Sequence, residues 1–141
     1  MLSVLAAISE NAHRIEKMFI TDKVTREGLF AVWVYIHGEK QQVLIDNYFP
    51  CRNQKPVFSR AHGKELWVMI LEKVWAKLHG SYEHIIEGQA YEVFKDFLGA
   101  PSYYHKTNES DIEEVLLNAH RNQYIMVATA TPSYKDDKYF D

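Results

Sequence analysis

The chain has 141 residues, 47% of them apolar and 13% aromatic, which is one domain's length with enough apolar material for a core and excludes a disordered tail. Its formal net charge is -3, so the basic excess expected of a nucleic-acid binder is absent. The single cysteine, Cys51, excludes an internal disulfide framework and a CxxC metal site, and points to a reducing, cytoplasmic compartment.

At the start, Leu2, Leu5, Ala6 and Ile8 recur with helical spacing and predict a helix over 2–10. The apolar stretch is too short for a transmembrane segment, and no basic region precedes it as in a signal peptide. No capping residue stands ahead of it, so the chain is expected to begin inside an element. A second short helix is predicted over 12–19. Residues 28–36, rich in β-branched and aromatic types, predict a strand; 37–40 read as a turn and 41–46 as a second strand, a hairpin by pattern. Residues 47–60, with Pro50 and Pro56, read as a loop. Residues 64–78 give the strongest helical pattern, with Leu66, Trp67, Ile70, Leu71, Val74, Trp75 and Leu78 on one broad face and Gly80 as the stop. A short helix follows over 90–98. Ser110 and Glu113 have the spacing of a capping box and open a helix to about Arg121. Residues 123–131 predict a strand, and the polar stretch from Pro132, with Asp136, Asp137 and Asp141, reads as a solvated surface. The order of elements implies an α+β fold.

Few residues single themselves out for chemistry. Cys51 follows Pro50 in the predicted loop with no helix N-terminus to activate it, and is expected to be a semi-buried structural thiol. The seven histidines are scattered with no HxxxH or HExxH pair, and no serine sits in a GxSxG elbow. Glu65 has two readings. A carboxylate in a first helical turn is favoured by the helix dipole, and a carboxylate is also a ligand for a hard cation such as Ca²⁺. Gly88 is either a turn glycine or a place where a substrate backbone approaches closely.

Four stretches carry a family resemblance. The run Glu65-Leu-Trp-Val-Met-Ile-Leu-Glu-Lys-Val-Trp-Ala-Lys-Leu-His-Gly-Ser-Tyr-Glu83 resembles the EFWxxLLEKAYAKLxGSYE signature of the calpain cysteine-protease core. Val43-Leu-Ile-Asp-Asn-Tyr-Phe-Pro50 resembles that family's VxVDDxxP stretch. Phe94-Lys-Asp-Phe-Leu-Gly99 resembles its FEDFTGG stretch, departing at Leu98 and Ala100. Leu2-Ser-Val-Leu-Ala-Ala-Ile-Ser-Glu10 is similar to the body of the helix that carries the catalytic cysteine.

The resemblance implies a papain-like fold and an intracellular, calcium-dependent cysteine endopeptidase acting on a peptide or protein substrate by limited proteolysis. It implies that residues 1–122 are part of the helical first subdomain and that 123–141 begin the β-rich second one. The family's nucleophile lies in a Gly-Asp-Cys-Trp segment just upstream of the residues matching Leu2 and Ser3. Its histidine base and orienting asparagine follow the region matching 123–131. None of these segments is among the 141 residues, so the chain reads as a fragment with no catalytic residue of its own, not expected to be active alone. Glu65 matches a calcium ligand and Gly88 a glycine whose backbone binds the extended substrate. The predicted strand between Tyr124 and Ala128, without sheet partners, is expected to make the chain marginally stable or self-associating. The alternative is a non-catalytic, protease-derived module that binds a peptide or protein partner.

Overall fold

The architecture comes from a computed structural model, which describes residues 1–21, 23, 25–59, 65–85 and 89–129. Helix α1 spans Leu2–Ser9 and buries Val4, Leu5 and Ile8, the stripe that helical spacing predicted. Asn11 then caps α2, Ala12–Glu16, by accepting a hydrogen bond from the His13 backbone N–H at 3.1 Å. Beyond α2 the chain runs beside strand β1 (Leu29–Ile36): Ile20 N–H donates to Ala31 at 2.9 Å, and Trp33 N–H donates to Met18 at 2.7 Å.

Strand β1 pairs antiparallel with β2, Glu39–Asp46, in the register Ile36–Glu39, Val32–Val43 and Leu29–Asp46. The turn is tighter than its polar sequence suggested. Only His37 and Gly38 form it, both left-handed at φ 53° and 83°, which matches the right-handed twist of a two-residue hairpin. Glu39 and Lys40 therefore belong to the strand, not the turn.

Helix α3, Trp67–Leu78, lies across β2, and α4, Ala90–Leu98, lies across β1. Their inner faces meet in a core of Leu71, Val74, Trp75, Val93 and Phe97 against Val32 and Val34. Two lysines of α3 fasten the helix to β2. Lys73 donates from Nζ to the Asp46 carboxylate, and Lys77 donates to the Leu44 carbonyl at 2.7 Å. The Lys73 hydrogen bond, followed by one from the Tyr48 backbone N–H, holds the Asp46 carboxyl below its ordinary range. Folding therefore favours the ionised form. That contribution is full above the ordinary carboxylate value and disappears as pH falls through the lower folded value. Lys73→Met is expected to flatten the acid limb of the stability curve, measured as melting temperature from neutrality down to about pH 2. An unchanged acid limb would show that Lys73 does not act on Asp46.

Several expectations need correction. Residues 47–60 are not all loop: β3, Cys51–Arg52, and β4, Lys55–Pro56, form a miniature hairpin turned by Asn53 and Gln54, both left-handed. A ladder of two residues on each side is too short to leave a periodic pattern. Cys51 is exposed on it instead of semi-buried. Helix α5, Ile112–Arg121, has Asp111 at its N-cap with no side-chain cap bond, so Ser110 does not open a capping box. The interaction of that kind lies at α4, where the Glu92 carboxylate accepts from the Gln89 N–H at 3.4 Å.

Residues 124–129 form no strand. Their alternation is real, since Ile125 and Val127 pack on the core while Tyr124 and Met126 are exposed. A strand also needs a hydrogen-bonded partner, and among the described residues none pairs with this segment. Instead Tyr124 N–H donates back to Ala119 at 2.9 Å, which closes the end of α5. Residues 130 and 131 lie outside the described part. Helices beside small antiparallel sheets make the fold α+β, and no described helix is long and apolar enough to cross a membrane.

Candidate functional site

The site begins with one charged residue on the wrong face of a helix. Helix α3 turns Met69, Ile70, Leu71, Val74, Trp75 and Ala76 inward, and Glu72 lies among them, 8% exposed. A buried carboxylate is costly unless donors replace its water. Ser59 supplies two: its backbone N–H donates to Glu72 Oε2 at 2.8 Å, and its hydroxyl donates to the same oxygen. The β3–β4 hairpin leads directly into Ser59, so this short hairpin sets where the two donors stand.

Next to Ser59, Phe58 stacks on Tyr82 with ring centroids 4.3 Å apart and planes 12° apart. Offset or near-parallel aromatic contact of this kind fixes both rings. Tyr82 follows the end of α3, where Gly80 adopts φ 94° and reverses the chain. Burial, then the negative charges of Glu72 and Asp46, push the Tyr82 hydroxyl up to about 12. The phenol therefore stays protonated across the physiological range and offers a donor beside the Glu72 carboxylate.

Glu72, Phe58 and Tyr82 form one wall of an open cavity of ≈ 350 Å³; the rest of its lining among the described residues is Met1, Leu2 and Ser3 at the start of α1, and Ile85 in the single helical turn Glu83–Ile85. The first turn of a helix carries backbone N–H groups with no partner inside the helix, and the dipole places partial positive charge there. The cleft thus joins an aromatic wall, a buried carboxylate and a helix N-terminus. It can hold an elongated ligand with polar and apolar parts.

The residues singled out in the sequence fall elsewhere. Glu65 is exposed and lies two residues ahead of α3, not in its first turn, so the dipole explanation loses its premise. Its carboxylate accepts a hydrogen bond from the Trp67 indole N–H at 3.2 Å. Ca²⁺ takes about six to eight oxygen ligands. Among the described residues no group of three His, Cys, Asp or Glu converges, so these residues do not by themselves make a calcium site around Glu65. Gly88 lies outside the described residues, three positions past Ile85 of the cleft. Among the histidines, His13, His79 and His105 each face a single carboxylate, of Glu16, Asp96 and Glu109.

Sequence reasoning passed over Glu72, Ser59, Phe58 and Tyr82. A usable signal was present for the first: a Glu between Leu71 and Val74 interrupts the apolar face of the best helix. The others come from loops, which carry no periodicity.

Comparison with known proteins gives the family. The sequence profile of the calpain family cysteine proteases matches residues 1–139. The calpain-type cysteine protease ADL1 of Oryza sativa subsp. japonica is 41% identical over 100 residues, 70% of this chain and 5% of its own length. The calpain-type cysteine protease DEK1 of Arabidopsis thaliana is 39% identical over 100 residues, again 70% of this chain and 5% of its own. The calpain-1 catalytic subunit of Homo sapiens is 30% identical over 125 residues, 84% of this chain and 18% of its own length. The chain thus spans a small part of the relatives it matches. With the profile covering nearly every residue, from the cleft-lining start of α1 past the end of α5, the chain belongs to the calpain family of cysteine proteases.

Proposed function

We propose that the chain is the peptide-presenting part of a calpain-type endopeptidase core and is inactive by itself. In this reading residues 1–122 are most of the helical first subdomain of a papain-like fold, and 123–141 begin the second. The observation that carries it is the cleft at the N-terminus of α1, walled by Phe58 and Tyr82, because a cysteine protease places its thiolate at such a terminus. The resemblance puts the nucleophile just upstream of Leu2, at the mouth of this cleft.

The residues present bind and orient; they do not complete the chemistry. Covalent catalysis needs a thiolate, a histidine base beside it and a group that orients the base. Cys51 is exposed on the β3–β4 hairpin and is not among the cleft-lining residues, and among the described residues no histidine lines the cavity. Gly88, on the segment that follows Ile85, supplies backbone contact to an extended substrate in this proposal. Glu65 supplies one carboxylate to a calcium ion whose other ligands lie outside the described residues, and no step is assigned to calcium. The compartment proposed is cytoplasmic, and the partners are a peptide or protein substrate and a second copy through residues between Tyr124 and Ala128.

The test is an assay of the purified chain on a quenched fluorescent casein-type substrate, with and without calcium, alongside sedimentation of the same sample. No turnover above buffer is expected, with turnover appearing when a segment carrying Gly-Asp-Cys-Trp is joined ahead of Met1 and the histidine and asparagine segments follow. Turnover by the chain alone that vanishes in Cys51→Ala would overturn the proposal. A strictly monomeric sample at high concentration would remove the second copy from it. The non-catalytic module shares this cleft and is distinguished by the native product's mass: about 16.5 kDa favours the module.

A further inference from the structure

Helix α5 is amphipathic, yet it buries none of its residues. At about 3.6 residues per turn, Ile112, Val115, Leu116 and Ala119 fall on one apolar stripe. Leu116, near its middle, is 50% exposed. The chain keeps the stripe going past the end of the helix. Gln123 is left-handed at φ 55°, its N–H donates to His120 at 3.0 Å, and Tyr124 N–H donates to Ala119 at 2.9 Å. These are the two bonds of a Schellman closure, which returns the backbone of exposed Tyr124 to the level of Ala119.

Charge lies beside the stripe in a definite order. Glu113 stands in the first turn and His120 in the last. They are two turns apart on the same flank, the one next to Leu116. Such a helix complements itself when turned end for end. A two-fold axis across an antiparallel pair sets each flank against its own kind and reverses the order along it. Glu113 then meets His120 of the second copy, and His120 meets Glu113. Along the stripe Ile112 faces Ala119, and Val115 faces Leu116. The opposed helix dipoles favour the same direction, whereas a parallel pair would bring two acidic first turns together. We propose that α5 is a docking surface for α5 of a second copy, laid antiparallel; this rests on the second copy already proposed at residues 124–128 and gives that contact a face and a direction. A helix of ten residues is only about 15 Å long, so the pair covers less than the ~1,200 Å² of a standard interface and the dimer is weak, half-formed at roughly 0.1–1 mM.

Sedimentation equilibrium of the 141-residue chain across that range tests it, in reducing buffer because Cys51 is exposed. The mass is expected to rise toward the dimer with concentration and to fall back in about 0.5 M salt, which screens the charge pairs. Leu116→Asp should abolish association while the dilute monomer melts within about 3 °C of the parent, since the side chain it replaces is half exposed. Glu113→Lys and His120→Glu should each weaken association about fivefold. Mixed in equal amounts they should restore it, because Lys then meets Glu at one end and Glu meets His at the other. Failure of the mixture to associate overturns the antiparallel pairing. Association that survives Leu116→Asp and is lost in Tyr124→Asp overturns the α5 surface and leaves the second copy at 124–128 standing. A Leu116→Asp monomer that melts far lower shows the stripe covered within its own molecule and overturns the surface too. A monomer at every concentration overturns both.

Discussion

Trp75→Ala should leave the chain largely unfolded at room temperature. Trp75 is the largest of the fully buried side chains, 2% exposed, and it stands where α3 meets α4. Its ring lies 5.8 Å from Phe97 and 4.0 Å from His79, and Val74, Leu71 and Val93 around it are also inaccessible. Truncating a buried Trp costs about 3–5 kcal/mol, the transfer term plus the cavity left behind. A domain of this size has about 5–15 kcal/mol in total. This one begins toward the lower end of that range, because α5 buries none of its residues and Leu116 and Leu117 stay about half exposed. Circular dichroism melts decide the matter: Trp75→Phe should melt a few degrees lower, while Trp75→Ala should show no cooperative transition. A Trp75→Ala melt within about 5 °C of the parent would mean that the core does not depend on this ring, since 1 kcal/mol moves a domain this long by only about 2–8 °C.

The second large effect is expected at Gly99, which ends α4 in the left-handed conformation at φ 63°. A left-handed C-terminal residue costs an L-amino acid about 1–2 kcal/mol, which glycine avoids. Space adds a second penalty. A Cβ there would stand 2.5 Å from Cδ1 and 2.7 Å from Cγ of Tyr35, so the root of the ring is in the way as well as its edge. Gly99→Ala should therefore cost roughly 2–4 kcal/mol by urea unfolding, combining backbone strain with overpacking. The two parts separate in a double mutant. In a Tyr35→Ala background the clash disappears and Gly99→Ala should cost only the backbone term. Full additivity of the two substitutions would show that the close approach has no energetic consequence.

The elements legible in the sequence were those with enough length to show a period. Helices α1, α3 and α4 repeat apolar residues at helical spacing, and α4 was read to the residue because Gly99 and Pro101 end it sharply. The β1–β2 hairpin was legible from its β-branched and aromatic run, but its turn was placed two residues too wide because Glu39 and Lys40 are exposed and polar. Residues 124–129 show the limit of pattern reading. Alternation predicts which side chains face inward, as Ile125 and Val127 do, and says nothing about whether a partner is there to accept the ladder. The cleft was less legible for a related reason. Phe58, Ser59 and Tyr82 come from segments joined only in space, and Glu72 drew no notice because a Glu on a helix ordinarily marks the solvent side. The family resemblance was carried by local runs of residues, which is why the profile match supports it across the chain while leaving Glu65 and Gly88 as proposals.

A two-stranded ribbon ordinarily invites a third strand from another molecule, since each outer rail offers unsatisfied amides and carbonyls. Part of each rail is taken here. Residues 18–20 run along β1, and the ammonium groups of Lys73 and Lys77 sit on the carbonyls of Asp46 and Leu44 along β2. The ribbon is closed to recruitment where it abuts α3, and a charged side chain, unlike a strand, propagates nothing further. There an extended peptide that pairs by its main chain finds no free carbonyl at Leu44 or Asp46, which leaves this end of the ribbon as scaffold.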